Sequence, residues 1–362
     1  MRTPMKPLSV IAMNFVVLLV LAFTAELVFG EWIGTSGLGR LAVPRNVKVV
    51  VSAAPLYPGG GEILYRRDAM GFRGPGVDPA RIAILTIGGS TTNQLYLPEE
   101  ATWQAVLERS LRQGGHDVVV ANAGIDGQST AGMIADLDLW LLDIPALKPH
   151  VVLAYVGIND VYKSGPATVN EGGGEDPRQM LRDNLRHSNL KREVEQRSAL
   201  VRLWTTIAGL IEADRARLRH HAVDFAGARW TDQPAQSIWR PDQLEINLAA
   251  YKERLVRIAG LMERMGAMPI FVTQTRADYR LENGRLTGIV EPDGPNGVDR
   301  GRALTLFNAA TLDVCRYRHV ACLDLATELQ FGEGDFYDYE HNTPQGAEKI
   351  GRWLSGKLAG LV

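Results

Sequence analysis

The run Ile82-Ala83-Ile84-Leu85-Thr86-Ile87 has one polar member, and Gly88-Gly89-Ser90-Thr91-Thr92-Asn93 follows it at once. A run this short and apolar, bounded by turn residues, fits a strand buried on both faces, the kind found in a parallel sheet covered by helices. Gly88 and Gly89 let the backbone turn sharply where a side chain would clash. Ser90 is thereby placed just past the carboxyl end of a central strand, with the next helix expected from about Thr102. In open α/β sheets that edge is where ligands bind. A serine there is a candidate nucleophile only if a base and oxyanion donors reach the same edge. Otherwise the stretch is a Gly-Ser turn or a phosphate-cradling loop.

From Ile82 onward, strand and helix patterns alternate. Strands are expected at Ile82–Ile87, Val118–Ala121, Val151–Val156, Ile270–Thr273 and Val320–Leu323. Helices are expected at Thr102–Gln113, Thr130–Leu142, Leu244–Met265, Arg302–Arg316 and Gln345–Leu358. In the helix from Leu244, apolar residues Leu248, Tyr251, Leu255, Ile258 and Leu261–Met262 recur at spacings of three and four, one buried stripe. Alternating βα units predict an α/β fold of three layers with right-handed crossovers. Five strands predict a flavodoxin-like parallel sheet in the order 2-1-3-4-5, the first strand central.

One crossover is too long for this scheme. Close to ninety residues separate Val156 from Leu244, against roughly 10–15 in a simple crossover. Residues from about 163 to 243 are therefore read as a helical insertion forming a lid or side wall. Leu200, Trp204, Ile207 and Ile211 mark an apolar stripe within it, suited to packing on the main domain or to a membrane surface. Basic Arg215, Arg217 and Arg219 follow, then His220 and His221, which would point in different directions on a helix and so make a poor metal pair.

The N-terminus carries Arg2 and Lys6, then an apolar stretch from Leu8 to about Phe29 broken mainly by Asn14, Thr24 and Glu26. About 20 helical residues at 1.5 Å each span the ~30 Å hydrocarbon core of a bilayer. A cleaved signal peptide would need small residues at a cleavage site, and Phe23-Thr24-Ala25-Glu26 spaces them poorly. The preferred reading is an uncleaved signal anchor over residues 1–33, with the N-terminus cytoplasmic and the large domain outside by the positive-inside tendency. Residues 34–80 read as a stalk followed by a small hairpin built from Val47–Val51 and Ile63–Tyr65. The segment from Arg67 to Gly74 is read as a surface turn, with a place at the site rim as the alternative. Residues 81–362 form the main domain.

A formal net charge of −2 gives no electrostatic footprint for nucleic acid. With two cysteines, Cys315 and Cys322, there is neither a disulfide scaffold nor a Cys-rich metal site. Their six intervening residues would let a helix end be bridged to the next strand, and both a disulfide and two buried thiols remain open.

The partners that Ser90 requires lie at later strand ends. After the second strand comes Asn122-Ala123-Gly124-Ile125-Asp126-Gly127-Gln128-Ser129, whose glycines let a backbone N–H approach a reacting oxygen. After the third comes Gly157-Ile158-Asn159-Asp160, where Asn159 can donate a side-chain N–H to an oxyanion. Asp160 reads as a cap for the segment that follows it. Just before the last helix comes Asp338-Tyr339-Glu340-His341, in which an Asp and a His three apart can hydrogen-bond and fix the imidazole tautomer. Arg276 and Tyr279, after the fourth strand, read equally well as substrate-binding or as solvated loop residues.

These blocks, in this order, resemble the SGNH/GDSL-type serine esterases, whose four blocks contribute Ser, Gly, Asn and a D-x-x-H pair. The likeness covers about Ala83 to Val362 without the long insertion. It implies a catalytic triad of Ser90, His341 and Asp338, and an oxyanion hole from the N–H groups of Ser90 and Gly127 with the Asn159 amide. Gly127 suits the family's spacing from Asn122 better than Gly124 does. One departure is plain: the family's first block usually reads Gly-Asp-Ser, and here Gly89 replaces the aspartate. No cofactor and no metal are called for by this chemistry.

The expected activity is that of an extracytoplasmic serine esterase cleaving O-acyl, chiefly O-acetyl, esters of a small molecule or glycan through an acyl-enzyme. A first rival is an O-acetyltransferase acting on an exopolysaccharide or cell-envelope glycan with the same triad. A second is a catalytically silent glycan-binding module. A nucleotide-binding loop at Gly88–Ser90 is disfavoured by the lack of G-x-G-x-x-G and G-K-[ST].

Overall fold

A computed structural model describes residues 7–30, 32, 41, 43–162, 197–201, 204, 220–282 and 284–361, with side chains from Met13 onward. The described residues fall into two compact units, one drawn from Met1–Ala42 and Glu171–Arg219, the other from Val43–Asn170 and His220–Val362.

In the first unit a single helix, α1 (Pro7–Phe29), takes up the apolar stretch. Phe15, Leu18, Leu21 and Phe23 on it are exposed. Its one carboxylate, Glu26, accepts hydrogen bonds from Trp32 Nε1 at 2.7 Å, Ser198 Oγ at 2.5 Å and Ala199 N at 3.1 Å. Among the described residues no helix is long and apolar enough to cross a membrane, and the described side chains of α1 begin only at Met13. Leu200 and Trp204 are helical and exposed. Ile207, Ile211 and the arginines at 215, 217 and 219 lie outside the described residues, as does most of the expected stalk.

The second unit opens with an antiparallel hairpin, β1 (Val47–Ser52) against β2 (Glu62–Arg67). Next come β3 (Ile84–Gly88), a one-turn helix α2 (Ser90–Asn93), α3 (Trp103–Gln113), β4 (Val120–Asn122), α4 (Thr130–Leu139) and β5 (Val151–Tyr155). After a short strand β6 (Trp230–Thr231) the chain forms α5 (Pro241–Arg264), β7 (Met268–Val272), β8 (Tyr279–Glu282) and β9 (Arg285–Ile289). It ends with α6 (Gly297–Arg318), β10 (Ala321–Leu323) and α7 (Pro344–Leu358), a single helical turn at Leu325–Glu328 lying between the last two. Strands β4, β3, β5, β7 and β10 lie side by side, all parallel. In chain order that is 2-1-3-4-5, the arrangement predicted from the alternation.

Both faces of the sheet are buried because successive side chains point to opposite sides. Ile84, Leu153 and Ile270 join Trp103 and Leu107 of α3 and Ile350 and Leu354 of α7 in one apolar cluster. Leu85, Val152 and Phe271, the alternate residues, are equally buried. Helices α4, α5 and α6 pack against one another, and α4 also meets β3. The α5 stripe is buried at Tyr251, Leu255, Ile258, Leu261 and Met262, with Leu248 half-buried.

Two expectations need correction, and one open choice is decided. Helix α6 begins five residues before Arg302, because Asn296 caps it: its side chain accepts from Val298 N and Asp299 N while Asp299 returns a bond to Asn296 N. Between His220 and Arg240 the described chain is not helical, contrary to the reading of the insertion as helical through 243. It runs through bends and irregular chain, and its short strand β6 pairs with β9 in a three-stranded sheet β6-β9-β8 that the sequence reading missed. Cys315 and Cys322 form a disulfide that ties the end of α6 to β10, which decides the open choice between a bridge and two thiols.

Candidate active site

Ser90 begins the single turn α2 immediately after β3. Its neighbour Gly89 is extended, with φ −83° and ψ −151°. The Gly89 carbonyl accepts from Thr92 N and Asn93 N, and Ser90 O accepts from Gln94 N at 2.7 Å. A helix-opening residue has no intrahelical acceptor for its own N–H, so the Ser90 N–H points out of the turn's bonding pattern.

His341 and Asp338 reach this serine from a loop 251 positions further along the chain. Ser90 Oγ lies 2.7 Å from His341 Nε2. His341 Nδ1 lies 2.8 Å from Asp338 Oδ2 and 3.0 Å from Asp338 Oδ1. Backbone N–H groups of Glu340 and His341 donate to Asp338 Oδ1 at 2.8 and 2.7 Å, folding the D-x-x-H segment around its own carboxylate. Burial pushes the Asp338 carboxyl up, but hydrogen bonds from His220 and His341 and the His341 charge outweigh it, leaving it well below the usual carboxylate range. Burial likewise pulls the His341 imidazole down, and the hydrogen bond to Asp338 with the charges of Asp338, Glu340 and Asp126 overrides this, so its pKa is raised.

The other two blocks arrive at the same edge. Asn159 Nδ2 donates to Gln128 O at 2.9 Å, which joins the loop after β5 to the loop after β4. An amide carries two N–H groups, so this bond engages one of them. Gly127 has φ +70°, a left-handed conformation natural to glycine. Gly124 fits the donor role less well, since its N–H is committed to Asn122 Oδ1 at 2.9 Å. Gln274, just after β7, ties the blocks together: its Oε1 accepts from Ile158 N at 3.0 Å and its Nε2 donates to Thr91 Oγ1 at 3.0 Å. Nothing in the sequence marked Gln274 for this part.

Several residues act differently from their sequence reading. Asp160 does not cap the segment that follows it. Its buried carboxylate accepts from Thr130 N and Thr130 Oγ1 at the start of α4, and from Arg254 Nη2 at 3.2 Å. Arg276 is not a solvated loop residue: it is 5% exposed and pairs with Asp278 and with Glu340, next to His341. Ala277 N also donates to Tyr339 O at 2.9 Å, so the turn after β7 fastens the Asp338–His341 loop. His220 and His221 are not on a helix, and His220 sits beside Asp338, with Nδ1 3.4 Å from Oδ2. One donor atom each from His220, Asp338 and His341 lies within 4.8 Å of the others, near enough for one cation. His341 and Asp338 are already joined by a hydrogen bond, and a cation would have to replace the proton between them.

The segment from Arg67 to Gly74 is likewise no surface turn. Arg67, Phe72 and Arg73 are buried. Arg73 donates to the carbonyls of Asn93, Gln94 (2.7 Å) and Leu97 (2.6 Å), the chain just beyond the serine's turn. Arg67 Nη1 donates to Gly124 O at 3.0 Å and to Tyr65 Oη at 3.0 Å, and Tyr65 Oη in turn donates to Asn93 Oδ1 at 2.9 Å. Two buried arginines from the hairpin thus brace both the serine turn and the glycine loop. The high charge of the segment concealed this, because buried arginines look like surface ones in sequence.

The model of the GDSL-like Lipase/Acylhydrolase family matches residues 86–349. Esterase TesA of Pseudomonas aeruginosa is 35% identical over 77 residues, 21% of this chain and 37% of that protein; the chain thus spans little more than a third of this curated relative. Among solved structures, a putative lipolytic protein of the G-D-S-L family from Desulfitobacterium hafniense DCB-2 is 15% identical with a TM-score of 0.41, over 75% of this chain and 97% of that one. A catalytic mutant of Axe2, an acetylxylan esterase from Geobacillus stearothermophilus, is 12% identical with a TM-score of 0.40, over 76% and 93%.

Replacing Arg73 by Met keeps the aliphatic stem but leaves three carbonyls without their buried donor. Unfolding in urea is expected to show a loss of about 3 kcal/mol, the scale for leaving several buried acceptors unpaired. A loss under about 0.5 kcal/mol, the range of ordinary surface changes, would mean the brace carries no load.

Proposed function

The chain belongs to the GDSL-like lipase/acylhydrolase family, and from that premise we propose that it is a serine esterase whose nucleophile is Ser90. The observation that carries the reading is the unbroken series Ser90 Oγ–His341 Nε2 and His341 Nδ1–Asp338. His341 takes the Ser90 proton as Oγ attacks an ester carbonyl, and Asp338 holds the tautomer and balances the imidazolium charge. The oxyanion is received by the N–H groups of Ser90 and Gly127 and by the Asn159 amide hydrogen not engaged with Gln128. His341 then returns its proton to the departing alcohol, leaving an acyl-enzyme that water resolves with His341 again as base.

The substrate we propose is an O-acyl, chiefly O-acetyl, ester on a glycan outside the cytoplasm. Support for the location comes from the Cys315–Cys322 disulfide, since such bonds persist in oxidising compartments. Further support comes from the apolar Leu8–Phe29 segment, read as a whole as a signal anchor. An acetyl group could pass to an acceptor hydroxyl by the same acyl-enzyme, and free acetate against acetylated sugar measures that partition.

Labelling with a fluorophosphonate probe tests the nucleophile. Wild type is expected to label, Ser90→Ala not at all, and Asn159→Ala to turn over p-nitrophenyl acetate about 10²–10³-fold more slowly. Retained labelling in Ser90→Ala would sink the assignment.

The pH profile tests the base. His341 must be neutral to accept the serine proton, and its raised pKa puts the acid limb of kcat/KM above the ordinary imidazole value of about 6.5. Activity therefore rises with pH through that limb, and a limb well below this value would contradict the assigned electrostatics.

Alkaline extraction of membranes from cells making the full chain tests the anchor. The protein is expected to stay in the membrane pellet with its N-terminal sequence intact. A mature chain beginning beyond Glu26 would mean that the segment is a cleaved signal.

A further inference from the structure

His220 is the polar group at this site to which acyl transfer assigns no step. Its Nδ1 lies 3.0 Å from Tyr337 Oη and 3.4 Å from Asp338 Oδ2. Its ring centroid is 4.2 Å from that of His341 and 4.9 Å from that of Tyr96. The segment that carries it is pinned to the same loop, with Val223 N donating to Tyr337 O at 2.9 Å and Tyr337 N to His341 O at 3.0 Å.

The two oxygens of Asp338 are held unequally. Oδ1 accepts from two backbone N–H groups, which fix it to the loop, and lies 3.0 Å from His341 Nδ1. Oδ2 has side-chain partners, His341 Nδ1 at 2.8 Å and His220 Nδ1 at 3.4 Å. With Oδ1 anchored, the freedom left to the carboxylate is a swing of Oδ2, and that swing would lengthen the shorter of its two contacts with the imidazole. The carboxylate oxygen can only accept and the phenol oxygen can accept or donate, so a proton on Nδ1 suits both neighbours, whereas a bare Nδ1 would turn its lone pair toward the Asp338 charge.

We infer that His220 is a positioning residue: its Nδ1–H holds Asp338 Oδ2 in place and, through Asp338, sets the His341 imidazole in line with Ser90. His220 touches neither the nucleophile nor the acyl group in this role. The device parallels the outer partners that orient a working histidine in other sites, where losing the orienting group costs far more than its own hydrogen bond. This inference rests on the reading of Ser90 as nucleophile for its kinetics, and stands apart from it in its spectroscopy.

The test uses the full chain and three variants. His220→Phe keeps a ring against Tyr96 and His341 but has no donor, His220→Asn restores an N–H at the Nδ1 position, and His220→Ala removes both ring and donor. With p-nitrophenyl acetate, His220→Phe is expected to lose tenfold or more in kcat with KM within twofold, and His220→Asn to recover most of that loss. In proton NMR of the resting enzyme, the low-field resonance of the His341 Nδ1–H is expected to shift or broaden in His220→Phe and return in His220→Asn. If His220→Phe does not fold, His220→Ala takes its place in both measurements. Wild-type kcat and an unmoved resonance in the donor-less variant would overturn the inference, as would equal losses in the Phe and Asn variants. Inactive wild type with the resonance response present would instead count against the esterase reading alone.

Discussion

The register of β3 between β4 and β5 is the constraint on which the site depends. Gly88 pairs with Tyr155, so β3 and β5 end level, and Asn122 pairs with Thr86, so β4 ends two residues earlier at the same edge. Gly88–Ser90, Asn122–Gly127 and Val156–Asn159 therefore turn out of it side by side. A slip of one residue would send every side chain of β3 to the opposite face, and both faces are filled with apolar side chains that fit one register. The burial of Ile84 and Leu85 on opposite sides thus fixes where Ser90 stands, at no direct cost to the chemistry.

The strands place the loops, and polar bonds between loops set their mutual geometry. Gln274 links the Asn159 loop to Thr91, Asn159 links itself to the glycine loop, and Arg67 and Arg73 brace that loop and the serine turn from the hairpin. Arg276 and Ala277 hold the Asp338–His341 segment. Each of these groups is buried or nearly so, where an unpaired polar atom is expensive. Loosening one bond therefore leaves its partner stranded, which keeps the set together. The braces extend beyond the part matched by the family, since the hairpin precedes residue 86.

What the sequence made legible follows from the range of each interaction. Strand order came from the alternation of short apolar runs with amphipathic stretches, a local pattern. Ser90, His341 and Asp338 came from short motifs whose spacing is local even though their contact is not. The helix cap at Asn296 is local too, yet the sequence reading began that helix only at Arg302. His220, Gln274, Arg67 and Arg73 could not be found this way. Each earns its place through a partner dozens to more than a hundred residues distant, and a histidine pair or a charged turn has no periodicity to betray burial. Asp160 was recognised as a cap, but the helix it serves is α4, reached across space.

Gly89 gives the departure from the family's usual first block a physical meaning. A Cβ added there would lie 2.4 Å from Asn159 Nδ2 and 3.1 Å from Gln128 O, the two atoms of the bond that joins the neighbouring loops. Glycine at 89 lets that bond pass close over the serine turn. A side chain in its place would have to push the Asn159 amide aside, because Gln128 O belongs to the backbone while the amide is the movable end of a side chain. In the proposed chemistry that amide also donates to the oxyanion, so the position before the nucleophile governs the reach of an oxyanion donor. A side chain at 89 and the present Asn159–Gln128 bond thus compete for the same space.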